Sequence, residues 1–195
     1  FQFGDDSYTG LRVYTNGEIQ FGNGQGWQNT YITPFRIDQD SRDQPAGVEN
    51  AGIWIEENTE RDSIVITWNG IGQYYRNERY PNTYQVEIID HGEGDSEVIY
   101  RFAEMRNPTY FSTYATYSWF RTDGDQSRPP LGYSNIVPST WDNIIGNTGV
   151  EGVWQFRIED GTLNTEDLAL RRETLIGTEG DDTLTGWLLG DILRG

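Results

Sequence analysis

The chain has no cysteine and no lysine, and only one histidine and one methionine in 195 residues. Without thiols it has no disulfides, no thiolate metal sites and no cysteine nucleophile. A chain without such staples must hold together through an apolar core, and 195 residues are enough to bury one. A lone His91 excludes the multi-histidine centres typical of zinc, and no G-x-S-x-G elbow offers it a serine. No run of eighteen apolar residues occurs, so no membrane-spanning helix is expected. The first residue is Phe1 rather than an initiator Met, which reads as a mature or trimmed chain. Positive charge is also scarce: fourteen basic residues face thirty-one acidic ones, a formal charge of −17. Such a field repels nucleic acid and anionic lipid and attracts cations.

Aromatic residues are plentiful instead, with twelve Tyr, eight Phe and seven Trp, alongside 23 Gly. Aromatic, β-branched and glycine-rich composition predicts an all-β protein. Ile64, Ile66 and Trp68 alternate with Val65 and Thr67; Tyr84, Val86 and Ile88 with Gln85 and Glu87; Val98, Tyr100 and Phe102 with Ile99 and Arg101. Ile53 and Ile55 alternate with Trp54 and Glu56, and Val153–Ile158 is a last clear strand ending in a turn at Glu159-Asp160-Gly161. Period-two strands separated by polar turns predict antiparallel hairpins packed as a β-sandwich. Asn16-Gly17, between two apolar runs, predicts a type I′ hairpin turn, and Asp90–Ser96 a hairpin tip. Phe21–Gly26, with its Gly-x-Gly-x-Gly spacing, reads as a flexible surface loop, because neither a helix pattern nor a lysine follows to make it a phosphate loop. Tyr31–Asp40 reads as one strand. Asn164 or Thr165 is placed to cap a short helix or turn through Leu170.

The last stretch has a different rhythm. Gly177-Thr178-Glu179-Gly180-Asp181-Asp182-Thr183-Leu184-Thr185 is followed nine residues on by Gly186, Asp191 and Leu193, then Gly195. That period is the calcium-binding nonapeptide G-G-x-G-x-D-x-U-x of parallel β-rolls. Its glycines permit tight turns, and carbonyls with the Asp carboxylate supply hard oxygen ligands to a cation. Both repeats are imperfect, since Thr178 replaces a glycine and Leu189 stands where Gly180 stood. The expected organisation is a sandwich over 1–160, a linker over 161–174, and a β-roll-like tail over 175–195.

Five motifs also resemble an extracellular module, the NIDO domain, in that family's order. Thr15-Asn16-Gly17-Glu18-Ile19-Gln20-Phe21 resembles its opening T-N-G-x-x-x-F hairpin, and Thr33–Asp40 its A-P-F-W-A-D-x-D strand. Ile66-Thr67-Trp68 is similar to its V-T-W, Asn82–Val86 to its N-T-F-Q strand, and Gly152–Ile158 to its closing G-x-W-x-F-R. Thr33 and Arg36 depart from the usual Ala and aromatic. The resemblance implies a β-rich module of adhesive and matrix proteins, without a known catalytic activity. The tail resembles the RTX-type repeats of bacterial proteins exported by type I secretion, which fold on meeting extracellular calcium.

The candidate cation ligands are therefore the carbonyls of Gly177 and Glu179 with Asp181, Asp182 and Asp191, and separately Asp38 and Asp40, helped by Asp43 or Glu49. At i and i+2 of a strand, Asp38 and Asp40 stand about 6.5–7 Å apart. That spacing also fits an acid/base pair for glycoside cleavage, or a plain Asx cap. Asp123-Gly124-Asp125 begins like an EF-hand loop but lacks its bidentate glutamate. Trp68, Trp154 and Tyr100 fall on inward phases, whereas Trp27, Trp119 and Trp141 are the candidates for a surface platform.

The leading expectation is a non-catalytic, secreted or cell-surface structural or adhesion module with Ca²⁺ as its cofactor. Its partners are other extracellular protein subunits or matrix and glycan components, and self-association through edge strands or the apolar Trp187–Leu193 run is the related possibility. A calcium-dependent, lectin-like glycan-binding module is the alternative, and a carboxylate-dependent glycosidase or lyase the third.

Overall fold

Hairpins build the molecule in chain order. The structure, a computed structural model, describes residues 1–42, 45–74, 77–106, 117–121, 138–164, 174–176 and 192–194. Strands β1 (Gln2–Phe3) and β2 (Asp6–Ser7) form a small ribbon. Then come β3 (Gly10–Val13), β4 (Ile19–Asn23), β5 (Gly26–Arg36), β6 (Gln39–Asp40), β7 (Gly52–Asn58), β8 (Ser63–Gln73), β9 (Asn77–Gly92) and β10 (Asp95–Met105). After these follow β11 (Tyr117–Arg121), a 3-10 turn at Pro138–Asn143, β12 (Val153–Glu159), β13 (Thr162–Leu163), β14 (Thr174–Ile176) and β15 (Ile192–Arg194). The fold is all-β, with no α-helix among the described residues.

Two antiparallel sheets make the sandwich and curl into a half-barrel. The smaller has the order β11-β5-β4-β3; the larger runs β13-β12-β10-β9-β8, with β6 and β7 sharing the outer edge of β8. The alternation in the sequence is the alternation of the core. Ile66, Trp68, Tyr84, Val86, Val98, Tyr100, Trp154 and Phe156 are all at most 2 % exposed. Trp68 stacks on Tyr84 at 4.9 Å and gives its indole N–H to the Tyr14 carbonyl at 3.0 Å, tying the large sheet to the end of β3. Tyr100 meets Phe156 edge-on at 5.1 Å. Such offset and edge-on pairs are the favoured aromatic geometries and dominate this interior.

Turn chemistry is as the sequence predicts in two places and different in two others. Glu93 and Gly94 (φ 54° and 93°), and Asp160 and Gly161 (φ 49° and 73°), are two-residue tips with both residues left-handed, as a type I′ turn requires. At Asn16-Gly17 only Gly17 has positive φ, +82°. There Gly17 N–H donates to the Tyr14 carbonyl at 3.0 Å and Tyr14 N–H to the Glu18 carbonyl at 2.8 Å, a longer loop closed by a bulge glycine. The tip is tucked inward rather than free, because Asn16 Oδ1 accepts from Gln39 N–H at 2.9 Å. Nor is Phe21–Gly26 a loop. Phe21, Gly22 and Asn23 belong to β4, Asn23 pairs with Gly26, and only Gly24 and Gln25 turn, with Asn23 Oδ1 accepting from Gln25 N–H at 2.9 Å.

The stretch Tyr31–Asp40 divides. β5 ends at Arg36, the chain crosses at Ile37–Asp38, and Gln39–Asp40 joins the opposite sheet beside Gly72 and Gln73. The large sheet also runs past Asp160, since Leu163 pairs with Ile158 and Asn164 N–H donates to the Arg157 carbonyl at 2.8 Å. Thr165–Leu170, where a short helix or turn is expected, lies outside the described residues.

Candidate functional site

The crossing at Ile37–Asp38 separates the two carboxylates that the sequence places together. Asp38 is exposed and offers its carbonyl to Tyr74 N–H at 2.9 Å. Asp40 is buried, and Arg42 folds back on it, with the backbone N–H reaching Oδ1 at 3.1 Å, Nε reaching Oδ1 at 2.7 Å and Nη2 reaching Oδ2. The two therefore do not share one face of one strand, the arrangement that both chelation and glycoside cleavage were expected to use. Glu49 is exposed, and Asp43 lies outside the described residues. Among the described residues no three His, Asp or Glu side chains converge to hold a metal ion.

Gly177, Glu179, Asp181, Asp182 and Asp191 also lie outside the described residues, as do Asp123–Ser127. Two short strands of this end of the chain are described, β14 just before Gly177 and β15 after Asp191. β14 and β15 pair in parallel, Thr174 with Ile192, Leu175 with Leu193 and Ile176 with Arg194, a constant offset of eighteen residues. Eighteen is twice the nine-residue spacing in the sequence.

His91 stands 3.7 Å from Glu97 across its hairpin, with both side chains partly solvated. Trp141, expected at the surface, is 3 % exposed and packs edge-on against Phe35 and Phe102. Its irregular segment gave no periodicity from which burial is legible. Trp27 is 47 % exposed as expected, and Arg12 lies over its ring at 4.2 Å. The side chain of Trp119 lies outside the described residues. Arg36, where the NIDO motif carries an aromatic, gives its Nε to Glu18 at 2.9 Å.

Two features have no counterpart in the sequence reading. On the outer face of the large sheet, Glu87 is buried and holds Arg101 at 2.6 Å, Arg61 at 3.0 Å and the Ser63 hydroxyl at 3.1 Å. A buried carboxylate is stable only with such partners. Strand alternation points Glu87 outward, and no local signal announces that long neighbouring side chains cover it.

The second is a cavity of about 330 Å³ where the half-barrel fails to close, between β3 and the β7–β8 hairpin. Tyr8, Leu11, Phe21, Ile64 and Ile88 form an apolar floor, and Glu57, Asp62 and Asp90 stand among its polar residues. That volume is at the lower end for ligand sites. Burial raises the Asp90 carboxyl, but hydrogen bonds from the terminal ammonium and the Gly92 amide outweigh it, and the net displacement is downward. A general acid requires a displacement in the other direction. Comparison of the chain with protein-family models, with curated proteins and with solved structures found no match.

Proposed function

We propose that the protein is a non-catalytic extracellular or cell-surface module, structural or adhesive, whose C-terminal nonapeptides order around Ca²⁺ and extend by stacking further coils from the same or neighbouring chains. The observation that carries this reading is the parallel register of β14 on β15, offset by two periods of nine. Parallel strands one coil apart are how nonapeptide repeats stack, and a roll needs about three or more repeats before it buries its own core. The eighteen-residue offset of the paired strands is the spacing such a stack would use. The acidic balance of the chain, −17, favours an ion-rich setting over an anionic partner.

Limited proteolysis of the whole chain, with light scattering, in millimolar calcium and in chelator tests the reading. Calcium is expected to protect the segment after Leu163 and raise the mass, and Asp182→Ala with Asp191→Ala is expected to abolish both effects. Identical digests and a constant mass in both buffers would refute it.

A glycan-binding reading is favoured by one observation, the exposure of Trp27 and Trp54, 47 % and 50 %. A glycan array probed in calcium decides it, and a blank array removes it.

A further inference from the structure

We propose that the outer edge of β7, which pairs with no other strand among the described residues, docks an extended, basic segment of another protein, which adds a strand there and closes the half-barrel. The site is built from the sandwich alone and goes beyond the calcium reading, since none of its residues belongs to the tail.

All seven residues of β7, Gly52–Asn58, pair with β8 along one side. Along the other side no described strand pairs with it, and the side chains of Trp54, Ile55, Glu56 and Glu57 are exposed. Ile55 shows that this edge is incomplete. It lies opposite Ile66, which is fully buried, and so points to the inner face; yet Ile55 is 54 % exposed. Among the described residues the facing sheet ends at β3, and a cavity lined by Leu11 and Glu57 lies between the two edges. In an antiparallel ladder alternate residues turn both N–H and C=O outward, so a seven-residue edge offers about three or four residues for pairing. Edges that are not meant to pair are blunted by charged side chains, inward-pointing charges, Pro, bulges or short length. β7 carries no Pro and no bulge and pairs in unbroken register with β8, and its only charges are Glu56 and Glu57, which oppose an acidic added strand and favour a basic one.

Charge selects the occupant. Glu56 and Glu57 stand on the strand, with Glu60 and Asp62 exposed in the turn after it, while Arg61 is engaged by Glu87. An added strand with alternating apolar residues and Lys or Arg would set its cations on the outer face against Glu56 and towards the acidic turn, and its inward apolar side chains on Ile55 and over the cavity floor, where Glu57 is among the lining residues. Opposite charges across a pair stabilise and like charges directly opposed destabilise. A second copy of a chain of charge −17 is therefore the poorer partner.

The test uses a fluorescent, end-blocked peptide of about nine residues alternating Lys with Val or Tyr, long enough to span β7. Its anisotropy is expected to saturate on the whole chain. A version N-methylated on alternate amides, and the double variant Ile55→Lys, Glu56→Lys at unchanged melting temperature, are each expected to bind at least about tenfold weaker. A peptide with Glu in place of Lys is expected not to bind. The proposal is overturned if the Lys peptide does not bind, or if the N-methylated peptide or the double variant binds as tightly. It is also overturned if the chain sediments as a dimer that Ile55→Lys dissociates. None of these outcomes depends on calcium, so failure here and failure of the calcium reading are distinguishable.

Discussion

Replacing Trp141 with alanine separates the structure from the sequence reading most directly. Its irregular surroundings mark Trp141 as a surface residue, whereas the 3-10 turn buries it to 3 % exposure. There its ring meets Phe35 of the small sheet at 5.7 Å and 81°, and Phe102 of the large sheet at 5.1 Å and 60°. It therefore bridges the two layers. Removing a buried tryptophan costs about 3–5 kcal/mol, of which the two edge-on ring pairs account for about 1–3 kcal/mol. Phe102 loses one neighbour and keeps Tyr100 at 6.3 Å, and Phe35 keeps Tyr84 at 5.4 Å, so the hole collapses only partly. Its neighbour Asp142 accepts from Met105 N–H at 3.0 Å, which holds the turn in place and limits relaxation further.

Urea unfolding followed by far-UV circular dichroism measures the effect. With a slope of about 2.5 kcal/mol per molar, a loss of 3–5 kcal/mol moves the midpoint down by about 1–2 M. Trp27→Ala is the internal comparison. It removes a half-exposed ring and one cation–π contact, for which about 0.5–1 kcal/mol is expected. A loss at Trp141 below about 1 kcal/mol, or an equal loss at Trp27, would refute the argument that the 3-10 turn completes the core.

Three further perturbations follow from single features. Gly17→Ala places a Cβ 1.9 Å from the Phe35 carbonyl oxygen at φ +82°, so thermal unfolding is expected to show a loss well above the roughly 1 kcal/mol of a left-handed alanine alone. A double-mutant cycle of Glu87→Gln with Arg101→Gln is expected to give coupling of about 1–2 kcal/mol, and a smaller value with Arg61, which is 49 % exposed against 34 % for Arg101. Burial raises the Tyr84 hydroxyl, opposed by the hydrogen bond from Gln39 at 2.7 Å, and the net displacement is upward. Its contribution is intact below about pH 10, where the unfolded tyrosine titrates, and is lost as pH rises beyond that, by about 1.4 kcal/mol per pH unit. Tyr84→Phe is expected to remove one proton from the alkaline slope of stability measured by denaturant titration.

The sequence made the central strands of the large sheet legible because burial on one face writes a period of two. Ile66 and Trp68, Tyr84 and Val86, Val98 and Tyr100 are inward both in the pattern and in the structure. Where the chain leaves one sheet for the other, the pattern gives no warning. Arg36, Ile37, Asp38, Gln39 and Asp40 continue the alternation of β5 on paper, but the crossing turns Asp38 out and buries Gln39 and Asp40 together. One crossing is enough to put two carboxylates at i and i+2 in different surroundings, because side-chain facing is set by the strand and not by spacing. Trp141 fails for the opposite reason: a 3-10 turn of six residues carries no periodicity that a pattern can register.

Edges are a third case, in which the pattern is right and incomplete. Ile53 and Ile55 alternate as an inward pair should, and both lie on the inward face beside Trp68 and Ile66. Whether an inward residue is buried depends on what stands opposite, which no local pattern encodes. At Trp68 the facing layer supplies the Tyr14 carbonyl; at Ile55 it supplies nothing that keeps water away. A strand patterned for a core and left beside a cavity is a site for something else to complete. Open edges of this kind are where β-proteins acquire partners.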